Sequence, residues 1–192
     1  TKDELEAQRR MVREGLDEGY VGLSVQTLPW DKMGGTAGYR SRPLPSTFAR
    51  WSEFRHLLRD VRERGRVFQG VPNVSTKWNV VLFMLESLPL LRKALKTTVI
   101  SMMDLRGQRG IHRVIGALSR ALNTLGADFR WQALPEPFDL RADGIDLVVF
   151  EEFGAGARAL HEWERAKRDA LLRDPAYRRD RKSTRLNSSH RT

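Results

Sequence analysis

Cysteine is absent from the 192 residues of the sequence. This absence excludes disulfide bonds and metal sites with cysteine ligands, and it favours a reducing compartment, so we expect a cytoplasmic protein. Long apolar runs are also absent. No stretch approaches the roughly 20 residues that a helix needs to cross a membrane, and we therefore expect no membrane partner.

Acidic residues are the minority charge, since 24 Asp and Glu stand against 34 Lys and Arg and give a formal net charge of +10. Such an excess is typical of proteins that bind nucleic acid. Most basic residues are interleaved with acids, as in residues 59–64, which predicts a solvated helix face. Four positive charges lie in residues 181–192, which contain no acid, and without them the charge is +6. We therefore expect no nucleic-acid partner.

The chain is organised around one unit, which runs from residue 20 to residue 71. Short apolar runs at 20–25 and 66–71 flank an amphipathic stretch at 47–64. In that stretch, apolar residues recur every three or four positions and so share one helical face. A short strand, a helix and a second short strand predict a βαβ crossover.

The ends of this helix and the segment before it carry further signals. Ser46 or Thr47 can cap the start of the helix, and Gly65 suits a left-handed stop. The segment from 26 to 46 is rich in Gly and Pro and is too long for a plain connection. Its length predicts a functional or lid-like loop.

Apolar periodicity predicts the remaining elements. Helices should end at Gly19 and Gly126, and Pro89 should kink or split an apolar helix between 78 and 95. One last helix should run from 160 to 171. The predicted strands are 21–25, 67–71, 98–103 and 129–133, with a further strand-like run at 145–150.

The alternation of strands and helices predicts an α/β fold with a parallel sheet. The sequence has no GxGxxG segment after a strand and no P-loop, so a nucleotide-binding sheet is disfavoured. A barrel with its site at the carboxyl ends of the strands is the better interpretation. We expect the four strands to be parallel neighbours in chain order, with helices outside.

Two blocks of sequence carry a family resemblance. They are residues 19–24 with the loop 42–46, and residues 129–138 with residues 142–153. Together they are similar to the D-aminoacylase, or N-acyl-D-amino-acid deacylase, branch of the amidohydrolase superfamily, over residues 5–179. The resemblance implies a partial (β/α)8 TIM-like barrel, with residues 1–179 as its middle part.

The resemblance also implies a chemistry, which is hydrolysis of an amide by zinc-activated water with a late Asp as general base. Its implied zinc ligands are a His-x-His before Thr1, the late Asp beyond residue 180, and His residues at two strand ends inside this chain. By order of elements, those two ends fall at 68–71 and 100–104, and neither contains His. Thioether sulfur and amide oxygen are poor zinc ligands. Zinc is therefore an expectation for a longer parent protein, and no cofactor is expected for this chain.

Three residues are candidates for catalysis. Asp104 follows the 98–103 strand, and His112 follows it across a glycine-bounded loop on the expected active-site side. Glu151 directly follows the strand-like run at 145–150, and its neighbour Glu152 points in a different direction, so at most one of them faces a site. The alternative for His112 is a partly exposed residue in a first helical turn.

The other histidines and the C-terminus favour structural interpretations. We expect His56 in a solvated or core-edge position, His161 on the surface at a helix start, and Ser24 in a structural role. Residues 180–192 resemble a translated sequencing-library adapter, the alternative being a natural disordered terminus. We expect residues 181–192 to pack against nothing, and His190 is accordingly no ligand candidate.

Three hypotheses follow from the sequence. The leading one is part of a barrel whose parent hydrolyses N-acyl-D-amino acids or related amides. The second is a non-catalytic barrel that binds a small amide, because the expected strand-end His residues are missing. The third and weakest is a basic RNA-associated module. The expected partner is a small acylated amino acid or amide, and the sequence does not indicate an oligomeric state.

Overall fold

The structure is a computed structural model that describes residues 1–28, 31–33, 38, 42–72, 79–100, 110–133 and 156–180. The chain divides into two compact units. The first comprises residues 1–28 and 45–136, and the second comprises residues 29–44 and 137–192.

The first unit alternates helices and strands along the chain. Its elements are α1 Lys2–Asp17, β1 Gly22–Gln26, α2 Pro45–Phe48, α3 Trp51–Glu63, β2 Val67–Val71, α4 Asn79–Ser87, β3 Lys96–Ile100, α5 Ile111–Thr124 and β4 Phe129–Gln132. No helix among the described ranges is long and apolar enough to cross a membrane.

The four strands form one parallel sheet in the order β1-β2-β3-β4. The register places Ser24 opposite Gln69, Gln69 opposite Thr98, and Thr98 opposite Arg130. The predicted α/β class and the predicted parallel neighbours in chain order are confirmed for this part of the chain.

Helices cover one face of this sheet. Because side chains alternate across a strand, Phe68, Val99 and Phe129 fall on the same face, and all three are buried. They belong to one core cluster with apolar side chains of α1, α3 and α4, and side chains of α5 pack against it. Phe68 and Phe83 meet edge to face with centroids 5.2 Å apart, an arrangement worth about 0.5–1.5 kcal/mol beyond burial.

The other face of the sheet is polar and open. Ser24 and Arg130 are exposed there, and Gln69 and Thr98 are half-buried. Ser24 Oγ donates to Gln69 Oε1 over 2.9 Å, and Gln132 Nε2 donates to Thr98 Oγ1 over 3.1 Å. The sheet therefore carries an apolar core on one side and, on the other, a row of polar side chains that ends in the charged Arg130.

Glycines end two of the helices as predicted. Gly65 follows α3 with φ of +61°, and Gly126 follows α5 with φ of +89°. These left-handed conformations are the ones that residues with a Cβ rarely adopt. The predicted break at Pro89 is also confirmed, because α4 ends at Ser87.

The predicted helix 47–64 is wrong in its first part, because the structure has α2, a break, and then α3. Arg50, in extended conformation, is the N-cap residue of α3, and its backbone N–H donates to the Glu53 carboxylate over 3.3 Å. Ser46 and Thr47 do not cap α3. Their hydroxyls donate instead to the carbonyls of Gln26 and Leu28, which lie 20 and 19 residues earlier.

Several strand boundaries also differ from the predicted ones. β1 begins at Gly22, one residue later than predicted, and the Val21 carbonyl before it accepts from the Val67 N–H over 3.1 Å. β3 begins at Lys96, two residues earlier than predicted, and the predicted residues 101–103 lie outside the described ranges. β4 ends at Gln132, one residue earlier than predicted. The run at 145–150 lies outside the described residues.

The interpretation of residues 59–64 as a solvated face is wrong for two of its charges. Asp60 is 2% exposed and Arg62 is 6% exposed. Asp60 pairs with Arg9 of α1, and Arg62 pairs with Glu86 of α4. Burial is possible because each charge meets an opposite charge from another helix.

The second unit contains α6 Gly156–His161 and α7 Arg165–Arg173, and residues 175–180 are helical as well. The predicted single helix 160–171 is therefore wrong. The helix is interrupted before Glu164, which has an extended conformation. The Glu164 N–H donates to the Glu162 carboxylate over 2.8 Å. Lys32 Nζ donates to the Leu160 carbonyl over 2.6 Å within this unit. Residues 181–192 lie outside the described ranges, so their expected lack of packing stays a prediction.

Candidate functional site

A cavity of about 510 Å³ lies beside the carboxyl ends of β1 and β2, and we call it the strand-end cavity. Uncharged polar and apolar side chains from four places in the chain form its wall. They are Thr27, Ser46, Thr47, Ala49, Trp51, Phe54, Asn79, Val81 and Leu82. An apolar wall with a few fixed polar groups is the usual composition of a small-molecule site.

Hydrogen bonds fix the polar part of this wall. Asn79, the first residue of α4 and 8% exposed, donates from Nδ2 to Thr27 Oγ1 over 2.8 Å. Thr27 Oγ1 in turn donates to the Val71 carbonyl over 2.6 Å, and the Thr27 N–H bonds the same oxygen over 3.2 Å. The ends of β1, β2 and the start of α4 are thus joined by one chain of hydrogen bonds.

The Gly- and Pro-rich connection returns to the cavity at α2. Ser46 Oγ donates to the Gln26 carbonyl over 2.6 Å, and Thr47 Oγ1 donates to the Leu28 carbonyl over 3.1 Å. These two hydroxyls hold α2 against the end of β1. The described part of the cavity wall carries no titratable side chain, so it can bind and orient an uncharged ligand but supplies no proton donor or nucleophile of low pKa.

The first strand end at which the resemblance implies a histidine is the stretch 68–71, which contains Gln69. The Gln69 Oε1 accepts from Ser24, on the open face of the sheet. Ser24 thus has a structural contact, as expected. Among the described residues, no three His, Cys, Asp or Glu side chains lie together so as to hold a metal ion. The donor atoms that the described residues offer at this strand end, such as the Gln69 amide oxygen, do not fit a zinc site.

Of the three predicted catalytic residues, the structure describes His112. It is half-buried, as the second residue of α5. Asp104 and Glu151 lie outside the described ranges, as does Glu152, so their roles stay predictions.

The remaining predicted histidine positions are partly confirmed. His56 lies at the edge of α3 with its side chain 32% exposed, and its Nε2 is 2.8 Å from Glu6 Oε1 of α1. This contact agrees with a core-edge role, and it holds the pKa of Glu6 below its usual range. His161 is exposed, but it lies at the end of α6 and not at a helix start.

Thr27 and Asn79 were not identified from the sequence. The available signal was weak, since one polar residue follows a predicted strand and the other begins an apolar helix. Their partnership spans 52 residues, and no local pattern encodes such a pair.

Comparisons with known proteins give relatives whose function is not assigned. Over 182 residues the chain is 41% identical to uncharacterized proteins of Mycobacterium bovis and of two Mycobacterium tuberculosis strains. The match covers 93% of this chain but 30% of each relative, so the chain spans less than a third of the length of these curated relatives. No protein-family model matches the sequence, and no solved structure matches it significantly.

Proposed function

We propose that this chain is one part of a (β/α)8 barrel in a longer protein that hydrolyses the amide bond of N-acyl-D-amino acids or related amides. The observation that carries the fold is the strand order β1-β2-β3-β4 with helices packed on one face. In a singly wound barrel each strand pairs with the next in the chain, whereas a doubly wound sheet reverses direction at a switch point.

The open polar face supports the same proposal. In a closed barrel, the face opposite the helices points inward and is filled by side chains of other strands. Ser24, Gln69 and Thr98 would then lie inside, where the remaining strands of the longer protein cover them. The 30% coverage of the mycobacterial relatives leaves ample chain for those strands.

The amide chemistry rests on the resemblance of residues 19–24, 42–46, 129–138 and 142–153 to the deacylases. The strand-end cavity supports it, because sites of barrel enzymes lie at the carboxyl ends of the strands. The strand end at 68–71, where the resemblance implies a histidine, contains none. The zinc ligands and the general base of the proposed site would therefore come from parts of the longer protein, and this chain would contribute wall residues.

A second candidate is a barrel that binds a small amide without hydrolysing it. One observation favours it, which is that the wall of the strand-end cavity combines apolar side chains with the hydroxyl and amide groups of Thr27, Ser46 and Asn79. Such groups recognise an amide by hydrogen bonds and do not activate water.

The test compares the 192-residue chain with a full-length mycobacterial relative. Each is assayed with N-acetyl-D-amino acids, with the L-enantiomers as the matched control, and each is analysed for zinc. We expect hydrolysis selective for the D-series in the long protein, and neither activity nor tightly held zinc in the chain, since a catalytic zinc needs three converging protein ligands.

The other outcomes separate the hypotheses. Saturable binding of N-acetyl-D-amino acids without turnover by the long protein would favour the non-catalytic barrel. A long protein that neither binds nor hydrolyses these amides would overturn both. One tightly held zinc in the 192-residue chain, lost on His112→Ala, would show that this segment holds a metal site of its own.

A further inference from the structure

A second cavity, of about 580 Å³, lies along one flank of α3 and reaches the segment before β3. We call it the basic cavity, because six of its eight lining residues carry basic side chains. These six are Arg55, His56, Arg59, Arg62, Arg92 and Lys93. The α3 members recur at three and four residues, which places them on one flank of the helix.

The inner end of the basic cavity is built around Glu86. This residue of α4 is 4% exposed, and its carboxylate contacts three guanidinium groups. Arg62 Nη2 lies 2.5 Å and Arg92 Nη2 lies 2.7 Å from Oε2, and Arg55 Nε lies 3.0 Å from Oε1. Three positive charges thus converge on one negative charge and leave an excess of two.

Arg62 is the most deeply buried of the three guanidinium groups, with its side chain 6% exposed against 31% for Arg92 and 56% for Arg55. Burial lowers the pKa of Arg62, and the neighbouring Arg92 charge lowers it further, whereas the hydrogen bond that Arg62 donates to Glu86 acts in the opposite direction. The Arg62 Nε is also buried and has no hydrogen-bond acceptor among the described residues. A buried guanidinium with an N–H that has no acceptor is only partly compensated for the loss of water, so it would stabilise a further anion nearby.

The outer part of the cavity carries two further cations at the surface. Lys93 is exposed in the segment before β3, and Arg59 is 68% exposed and pairs with Glu63, which also lines the cavity. Ser52 adds a hydroxyl to the wall. The wall therefore presents cationic donors from two separate stretches of chain around one concavity.

We propose that the basic cavity binds a phosphate-class oxyanion, as the free ion or as the phosphoryl group of a small ligand. Planar guanidinium forks match the oxygen geometry of phosphate, and several of them around a concavity select multiply charged oxyanions over chloride. The size of the cavity suits a small ligand. None of its lining residues belongs to the strand-end cavity, so this proposal is independent of amide hydrolysis.

The experiment is calorimetric titration of the full 192-residue chain with inorganic phosphate and with pyrophosphate, at ionic strength held constant with chloride. We expect saturable binding with a Kd of about 1 mM or tighter, and tighter for pyrophosphate. Arg59→Ala and Lys93→Ala should each weaken binding about three- to tenfold. Arg113→Ala, which removes an exposed arginine of α5, is the matched control and should leave the Kd unchanged.

Two further measurements keep the result interpretable. Circular dichroism melts confirm that each variant is folded. Arg62 is not substituted, because its removal would take a partner from the buried Glu86 carboxylate and destabilise the fold. Arg59→Lys keeps the charge without the fork and should weaken binding less than Arg59→Ala. Absence of saturable binding would overturn the proposal. Equal weakening by Arg113→Ala would also overturn it, because it would mean that the anion is attracted diffusely to a basic surface. A response to pyrophosphate but not to phosphate would assign the cavity to phosphoryl groups of larger ligands.

Discussion

The side-chain amide of Asn79 donates to Thr27 Oγ1 over 2.8 Å and so joins the start of α4 to the end of β1. Thr27 Oγ1 in turn donates a hydrogen bond to the Val71 carbonyl at the end of β2. Two strand ends and one helix start are thereby fixed at the wall of the strand-end cavity. The stability of this arrangement can be measured directly.

Asn79→Ala should lower the free energy of unfolding by about 1–3 kcal/mol, because it leaves a buried hydroxyl without its donor. Urea unfolding followed by circular dichroism measures the change. Ser24→Ala is the control, since it removes an exposed hydrogen bond to Gln69 and should change stability by less than about 0.5 kcal/mol. Equal losses in the two variants would mean that the Asn79 bond has no special weight.

Asp60→Ala should be among the most damaging charge removals in α3. The Asp60 carboxylate is buried and contacts Arg9 of α1 and, over 3.4 Å, Arg64 Nη1. Its loss leaves the largely buried Arg9 with only the longer 3.6 Å contact to Glu6 and should cost about 3 kcal/mol. Glu63→Ala breaks only an exposed pair with Arg59 and should cost less than about 1 kcal/mol. The idea fails if chemical denaturation ranks Glu63→Ala as the more harmful change.

Acid should weaken the contact between α1 and α3. Hydrogen bonds from Arg64 hold the pKa of Asp17 below its ordinary value of 3.8. A carboxyl with a lowered folded-state pKa stabilises the fold above its unfolded pKa, and this contribution is lost as pH falls through the folded value. Stability should therefore drop below about pH 4, and the drop should be smaller in Asp17→Asn. Denaturant midpoints at about pH 7 and about pH 3 test this, and an identical drop in the variant would refute it.

Gly22→Ala should disrupt the β1–β2 pairing. A Cβ at this position would lie 1.7 Å from the Val67 carbonyl oxygen, which belongs to the backbone of the neighbouring strand. One strand must move, so we expect a loss of at least about 3 kcal/mol. In the control Gly15→Ala, the new Cβ meets Tyr20 Cδ2 at an ordinary 3.7 Å, and a gain of up to about 1 kcal/mol is expected within α1. Thermal melts of both variants would contradict this if Gly22→Ala were as stable as wild type.

The site illustrates where inference from sequence was incomplete. Of Asp104, His112 and Glu151, His112 alone lies in the described part of the chain, where it is half-buried near the start of α5. The sequence does not predict the strand-end cavity. It does predict a functional or lid-like loop at 26–46, and the last residue of that segment, Ser46, lies in the cavity wall. A loop length indicates that something unusual is present, but it does not name the contacts.

Sequence alone determined the direction of the strands and most of the elements, but not the breaks within the predicted helices 47–64 and 160–171. Apolar spacing along α3 and α5, and the glycines at 65 and 126, act through local geometry, so their effect is visible in a short window. Alternation of strands with helices then required parallel pairing in chain order.

Tertiary structure alone decided which polar groups meet. Ser46 and Thr47 bind carbonyls near the end of β1 instead of capping α3, and Asp60 and Arg62 are buried instead of solvated. Each of these outcomes depends on a partner 19 to 51 residues away along the chain. The burial of a charge or hydroxyl is favourable only once that partner is in place, and packing of the helices on the sheet is what brings it there.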